Sequence, residues 1–161
     1  MRPTFSILMA AGVAAAACRG QGPTPLSAVS LADCTPTGVQ QTQSSTMPPS
    51  GDLHLKTGAG VDELVVPAGS AAAGATFKFT RLGSGTSRVR RVSAEPPSGV
   101  NGAGSTITID ANGCSAPAGK SLAVGRQEGA TWVVVGAHPS AGGGITSDPL
   151  DHLSIYAVVS N

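Results

Sequence analysis

Apolar and polar residues alternate with a period of two along most of the chain after residue 50. Leu53 and Leu55 alternate with polar residues in this way, and so do Phe77 and Phe79. Further apolar runs are found at residues 64–66, Val89 and Val92, Ile107 and Ile109, 122–124, 132–135, and Leu153, Ile155, Ala157 and Val159. A period of two is typical of half-buried β-strands, so the pattern predicts about eight strands.

Clusters of Gly, Pro, Asn and Ser separate these runs, as expected for turns. Each such strand buries one face, and two stacked antiparallel sheets bury the apolar faces of all of them. We therefore expect an all-β fold, a two-sheet antiparallel β-sandwich over residues 51–161. Alanines at 71–73 could begin a helix, but the flanking glycines favour a turn. The break in alternation between Val89 and Val92 predicts a β-bulge.

The first 17 residues have a positive charge at Arg2, then an apolar run, and then small residues before Cys18. This is the anatomy of a signal peptide, and its apolar run is short for a membrane span. A cysteine directly after small residues resembles a lipobox, in which the thiol is acylated and becomes the new N-terminus. Ala15 stands where that motif usually has Leu, and ordinary cleavage, which yields a secreted soluble protein, is the alternative.

Residues 18–50 are rich in Pro, Gly, Ser, Thr and Gln and contain few apolar side chains. Such a segment cannot bury enough surface to offset the entropy of ordering, so we expect a flexible linker behind a lipid anchor at Cys18. Val29 and Leu31 alternate ahead of Cys34, and this short stretch is the one part of the linker expected to pack on the domain.

Three cysteines in an exported protein leave one thiol unpaired. If Cys18 carries lipid, Cys34 and Cys114 remain as an even pair in a compartment where disulfides persist. A Cys34–Cys114 disulfide is therefore the expectation, and two free thiols are the alternative.

Charge is sparse and balanced, at 12% of residues with a formal net charge of +1. A neutral surface gives no electrostatic reason to expect nucleic acid or an acidic lipid surface as a partner. The expected partners are a bacterial membrane, reached through the lipid anchor, and an unidentified protein or envelope component. The expected location is the cell envelope, at the outer membrane or the cell surface.

Two stretches together resemble the ZU-five domain, a family named for zona occludens and Unc-five-like netrin receptors. DELVVPAGSAAAGATFKFTRL resembles the opening hairpin of that domain, and KSLAVGRQEGATWVVVGAHPSAGGGITSDPLDHLSIYAVV resembles its closing segment. The resemblance covers roughly residues 51–161. It implies a β-sandwich that serves as a surface, adhesion or interaction module, without a cofactor and without metabolic catalysis.

His152, Leu153 and Ser154 stand just before the last predicted strand and offer one reaction. In some relatives of the family a similar tripeptide cleaves its own backbone. Ser154 would attack the carbonyl of Leu153, and His152 would take the hydroxyl proton. The alternative is structural, with His152 and Ser154 hydrogen-bonded to a neighbouring turn.

The remaining candidates favour structural roles. The three histidines, His54, His138 and His152, are too scattered for a zinc site. The basic cluster of Arg88, Arg90 and Arg91 lacks interleaved aromatic residues, which favours a solvated sheet face over a nucleic-acid or glycan site. Trp132 stands among valines and is expected in the core, although an exposed Trp would suit a small carbohydrate-binding module.

Overall fold

The computed structural model describes residues 28–57 and 61–161, so the predicted signal peptide and Cys18 lie outside the described residues. Within these ranges the regular structure is β-strand, apart from a three-residue 3-10 turn at Ala141–Gly143. The all-β prediction is confirmed. The strands are β1 (Ser30–Leu31), β2 (Asp33–Cys34), β3 (Gln41–Thr46), β4 (Leu53–Thr57), β5 (Asp62–Val66), β6 (Thr76–Leu82), β7 (Arg91–Glu95), β8 (Thr106–Asp110), β9 (Cys114–Ser115), β10 (Leu122–Glu128), β11 (Thr131–Gly136), β12 (His138–Ser140), β13 (Gly144–Thr146) and β14 (Ile155–Ser160).

The strands form a sandwich of two antiparallel sheets. The larger sheet has the order β11-β10-β14-β7-β6-β3, and β1 also pairs with β14. The smaller sheet has the order β12-β13-β8-β5-β4, and β2 and β9 form a separate two-stranded ladder. The predicted number of eight strands is too low because several of the fourteen observed strands are only two or three residues long.

The core lies between the two sheets and follows the period-two pattern in most strands. In β4 buried and exposed residues alternate strictly, and β5 alternates between fully and partly buried residues. Phe77 and Phe79 are completely buried, as predicted from their spacing. The predicted turn near residue 70 is also confirmed, because the Ser70 amide and hydroxyl both donate to the Pro67 carbonyl.

The last strand departs from its predicted alternation. Leu153, Ile155, Ala157 and Val159 were expected to face the core, but from Ile155 onward the core-facing residues are Tyr156 and Val158. β14 lies in the middle of the larger sheet, and its residues from Tyr156 to Ser160 are all buried. A strand covered on both faces carries no polar side to mark its orientation.

The linker predicted for residues 18–50 is wrong for the part that the structure describes. β3 pairs with β6 through six consecutive residue pairs, from Gln41 opposite Arg81 to Thr46 opposite Thr76. β1 pairs with β14 and β2 pairs with β9, so the stretch ahead of Cys34 does pack on the domain as predicted. Residues 30–46 are thus part of the sandwich.

The stretch compared with an opening hairpin, residues 62–82, does not form one. β5 lies in the smaller sheet and β6 in the larger sheet, so the segment between them crosses from one sheet to the other. The described residues contain no helix with the length and apolar character needed to cross a membrane.

Candidate functional site

The predicted self-cleavage tripeptide lies in the turn that leads into β14. The backbone amide of Leu153 donates to the Asn101 carbonyl at 2.8 Å, and the Leu153 side chain is buried. The Ser154 carbonyl accepts from the Ala94 amide at 2.9 Å. The His152 imidazole is half-exposed, and its Nδ1 lies 3.0 Å from Asp151 Oδ1.

Tyr156 fixes this turn from inside the sandwich. Its side chain is completely buried, and its hydroxyl donates to the His152 carbonyl at 2.6 Å. A tyrosine that bonds back to the chain a few residues upstream is a known corner device in β-sandwiches. Among the described residues no hydrogen bond joins His152 to Ser154, and no residue other than glycine has a positive φ. The arrangement favours the structural alternative, and self-cleavage stays a prediction.

Tyr156 should resist ionisation until the protein unfolds. Burial raises the pKa of Tyr156 well above its ordinary value of 10.0, because the interior disfavours the phenolate. The folded state therefore holds the proton more tightly than the unfolded state. This contribution to stability is complete below pH 10 and is lost as the pH rises above it.

The chain has one tyrosine, so ultraviolet absorbance of the phenolate reports Tyr156 directly. We expect phenolate to appear only together with the loss of β-sheet circular dichroism. Tyr156→Phe, the matched control, should be less stable at neutral pH by about 0.5–1.5 kcal/mol through loss of the hydrogen bond. The difference in stability between Tyr156→Phe and the parent chain should become smaller above pH 10, because the parent chain then loses the contribution of its protonated tyrosine. Ionisation of Tyr156 near pH 10 in the folded protein would contradict the prediction.

A buried ionic cluster joins the two sheets at another point. Arg81 of β6 donates from Nε to Asp62 Oδ2 of β5 at 2.5 Å, and its Nη2 lies 3.9 Å from Asp110 Oδ2. The other oxygen of Asp62, Oδ1, accepts the Asp110 backbone amide at 2.7 Å. Asp62 is 1% exposed and Arg81 is 8% exposed. A charge at this depth is tolerated only when it is paired and hydrogen-bonded, so the cluster acts as an ionic link between the sheets.

Arg90 is buried beside this cluster. Its guanidinium donates to Thr37 Oγ1 and to the Asn112 carbonyl, the latter at 2.9 Å. The space lined by Asp62, Arg81 and Arg90 measures about 10 Å³, room for about one water molecule and too small for a substrate. These contacts indicate a structural role for the site.

The three clustered arginines therefore do not form one solvated face. Arg88 is exposed and makes two hydrogen bonds to Asp33, both at 2.7 Å, and these bonds lower the pKa of Asp33. Arg90 is buried, so the predicted solvated face is wrong for this residue. The predicted bulge is also wrong, because β7 begins at Arg91 and Val89 precedes it.

A second apolar cluster lies on the outer face of the larger sheet. Ala123, Ala157 and Val159 are completely buried there, and Val29, Trp132 and Val134 pack against them while partly buried. Leu31 lies opposite Val159 in the β1–β14 ladder and so shares this face. We call these seven residues the outer patch: Val29, Leu31, Ala123, Trp132, Val134, Ala157 and Val159.

Trp132 therefore does not fill the core between the sheets, contrary to prediction. Gly125 is needed where it stands, because a Cβ there would lie 2.6 Å from Val159 Cγ1. Because Gly125 has no side chain, Val159 of the outer patch can pack directly against the backbone of β10.

The three histidines lie apart in three separate pairs. His54 Nδ1 is 2.8 Å from Glu63, His138 Nε2 is 2.7 Å from Asp148, and His152 pairs with Asp151. Across residues 28–57 and 61–161, no three side chains of His, Cys, Asp or Glu come together as metal ligands. Cys34 and Cys114 form the predicted disulfide, and Cys18 lies outside the described residues.

Comparisons of the chain with protein-family models, with curated proteins and with solved structures found no match.

Proposed function

We propose that the chain is an exported, lipid-anchored, non-catalytic module of the bacterial cell envelope that acts by surface contact with another protein or envelope component. The observation that carries the proposal is the Cys34–Cys114 disulfide. It ties the segment that follows the predicted signal peptide to the sandwich. Structural disulfides persist in oxidising compartments outside the cytoplasm, which supports export.

The buried charges support a structural rather than a catalytic interior. Asp62, Arg81 and Arg90 are engaged by protein groups, and the space beside them is too small for a substrate. The surfaces available for function are therefore the outer faces of the two sheets and the connecting turns.

The ZU-five resemblance belongs to the same proposal. It is supported by the all-β architecture and by the closing stretch, whose strands β10, β11 and β14 are neighbours in the larger sheet. On this interpretation the sandwich is a surface or adhesion module.

The test is intact-mass analysis of the full chain recovered from the envelope of a bacterial host. We expect a polypeptide that begins at Cys18, carries acyl chains there, and floats with membrane vesicles on a density gradient. Cys18→Ala should lower the floating fraction by roughly tenfold or more, because the acyl chain supplies the membrane affinity.

Two outcomes would contradict the proposal. A mature protein without acyl chains would leave the secreted soluble alternative. A C-terminal fragment beginning at Ser154 would replace the non-catalytic function with self-cleavage between Leu153 and Ser154.

A further inference from the structure

The outer patch is an apolar area on a sheet face that normally meets water. The strand registers place its residues side by side, with Leu31 opposite Val159 and Ala123 also opposite Val159 from the other neighbouring strand. Leu31 is 38% exposed, and Val29, Trp132 and Val134 are partly exposed. A Trp among aliphatic side chains on a half-exposed face suits the boundary between lipid and water.

The outer face of the smaller sheet has the opposite character. His54 and Lys56 of β4 both contact Glu63 of β5 on that face. Thr108 and Thr146 share a hydrogen bond of 2.8 Å on neighbouring strands. One side of the sandwich is therefore polar and the other carries the outer patch.

Ala28 and Val29 lie at the outer patch. Val29, the second described residue, packs in the patch, and Lys120 Nζ donates to the Ala28 carbonyl at 2.8 Å. Nine residues lie between Cys18 and Ala28, and the ten Cα-to-Cα steps that join these two residues span at most ~35 Å even when fully extended. An acyl chain on Cys18 would therefore hold this face within that distance of the bilayer.

We propose that the outer patch contacts the surface of the bilayer that carries the lipid anchor. This inference rests on the proposed anchoring at Cys18 and adds the orientation of the sandwich. The anchor makes the contact intramolecular, so an effective concentration in the millimolar range favours even a small apolar patch. Arg91 lies opposite Ala157 on the same face, where it can approach anionic headgroups. The polar face of the smaller sheet then points away from the membrane.

Trp132 is the only tryptophan in the chain and serves as the probe. The acylated full chain is reconstituted in vesicles of phosphatidylcholine and phosphatidylglycerol, with and without brominated acyl chains. We expect acrylamide quenching of Trp132 to fall by roughly twofold relative to the Cys18→Ala protein, as for an indole at the membrane interface. Brominated lipid should quench the acylated protein and leave the Cys18→Ala protein unchanged.

Leu31→Asp and Val133→Asp provide a matched pair. Leu31 and Val133 are 38% and 40% exposed, but Val133 lies on the opposite face of the larger sheet, as its pairing with Arg126 shows. Leu31→Asp should restore acrylamide quenching to the level of the Cys18→Ala protein while the protein still floats. Val133→Asp should keep the protection of the parent chain.

The remaining outcomes separate the two proposals. If the acylated protein floats but acrylamide quenches Trp132 equally in the acylated protein and in the Cys18→Ala protein, the proposed contact of the outer patch with the bilayer is wrong, whereas the lipid anchor at Cys18 is supported. Protection that depends on protein density and shows no quenching by brominated lipid would assign the patch to a second copy and overturn the bilayer contact. Failure to float would overturn the anchor and the orientation together.

Discussion

Replacing Asp62 with alanine is expected to lower the free energy of unfolding by about 3–5 kcal/mol, because it leaves the buried Arg81 guanidinium without its main partner. The same substitution removes the acceptor for the Asp110 backbone amide, which is also buried. The ion pair with Arg81 and the hydrogen bond from the Asp110 amide are thus both lost at the same contact between the two sheets. Urea denaturation followed by circular dichroism measures the change, with the slope of the transition checked for two-state behaviour.

Two variants separate the ionic link from a general effect of charge removal. Asp62→Asn keeps an oxygen that can accept the Asp110 amide, so its loss should be smaller than that of the alanine variant. Glu95→Ala removes the exposed ion pair between Lys78 and Glu95 on neighbouring strands, and it should cost less than about 1 kcal/mol. Equal costs for Asp62→Ala and Glu95→Ala would show that burial gives the Asp62–Arg81 pair no special importance.

The sequence contained a sign of this ionic link that apolar patterning alone overlooks. Asp62 has the same parity as Leu64 and Val66 in β5, and Arg81 has the same parity as Phe77 and Phe79 in β6. A period of two therefore places both charges on inward faces. Opposite charges at inward positions of two strands predict a buried pair, although the sequence does not show which strands face each other.

The period-two pattern predicts strands correctly where one face of the strand is buried and the other is exposed to solvent. It predicted β4, β5, β6 and β8 and therefore the fold class. The pattern fails to predict the orientation of β14, because both faces of this strand are buried and odd-numbered and even-numbered residues are equally covered. Tyr156 consequently points into the core instead of Ile155.

Composition misled the prediction in the N-terminal segment. β3 reads QTQSST and is exposed at every position, so its side chains resemble those of a linker. It is an edge strand, and its backbone bonds to β6 supply its place in the sheet. Edge strands can be polar because they contribute little to the core, and their partners are determined by the rest of the fold.

The outer patch escaped prediction for a related reason. Trp132 and Val134 alternate with Val133, so one parity was expected to face the core and the other to face water. The structure places Trp132 and Val134 over the small residues Ala123 and Ala157 on the outside of the sheet. Only the pairing of β11, β10 and β14 reveals that these small residues leave room for a second apolar layer.

Reduction of the Cys34–Cys114 disulfide is expected to lower the free energy of unfolding by about 4–5 kcal/mol, because the bond closes a long loop in the unfolded chain. The two cysteines are 80 residues apart in sequence and lie directly opposite each other in the β2–β9 ladder. Domains of this size have a free energy of unfolding of only about 5–15 kcal/mol, so the expected loss is at least about a third of the total. Urea titrations with and without reductant measure the difference.

The double variant Cys34→Ala and Cys114→Ala is the control, since its stability should equal that of the reduced protein and should not respond to reductant. Loss of the bond should loosen β2 and, through it, the preceding contacts with β14, which are the β1 pairing at Leu31 and the hydrogen bond from the Ala32 amide to the Val158 carbonyl. Val29 and Leu31 would then pack less closely on the other residues of the outer patch, and Trp132 emission should shift to longer wavelength before global unfolding. Coincident urea midpoints for the oxidised and reduced proteins would refute the assigned role, because a loop of this length cannot be closed without an entropic effect.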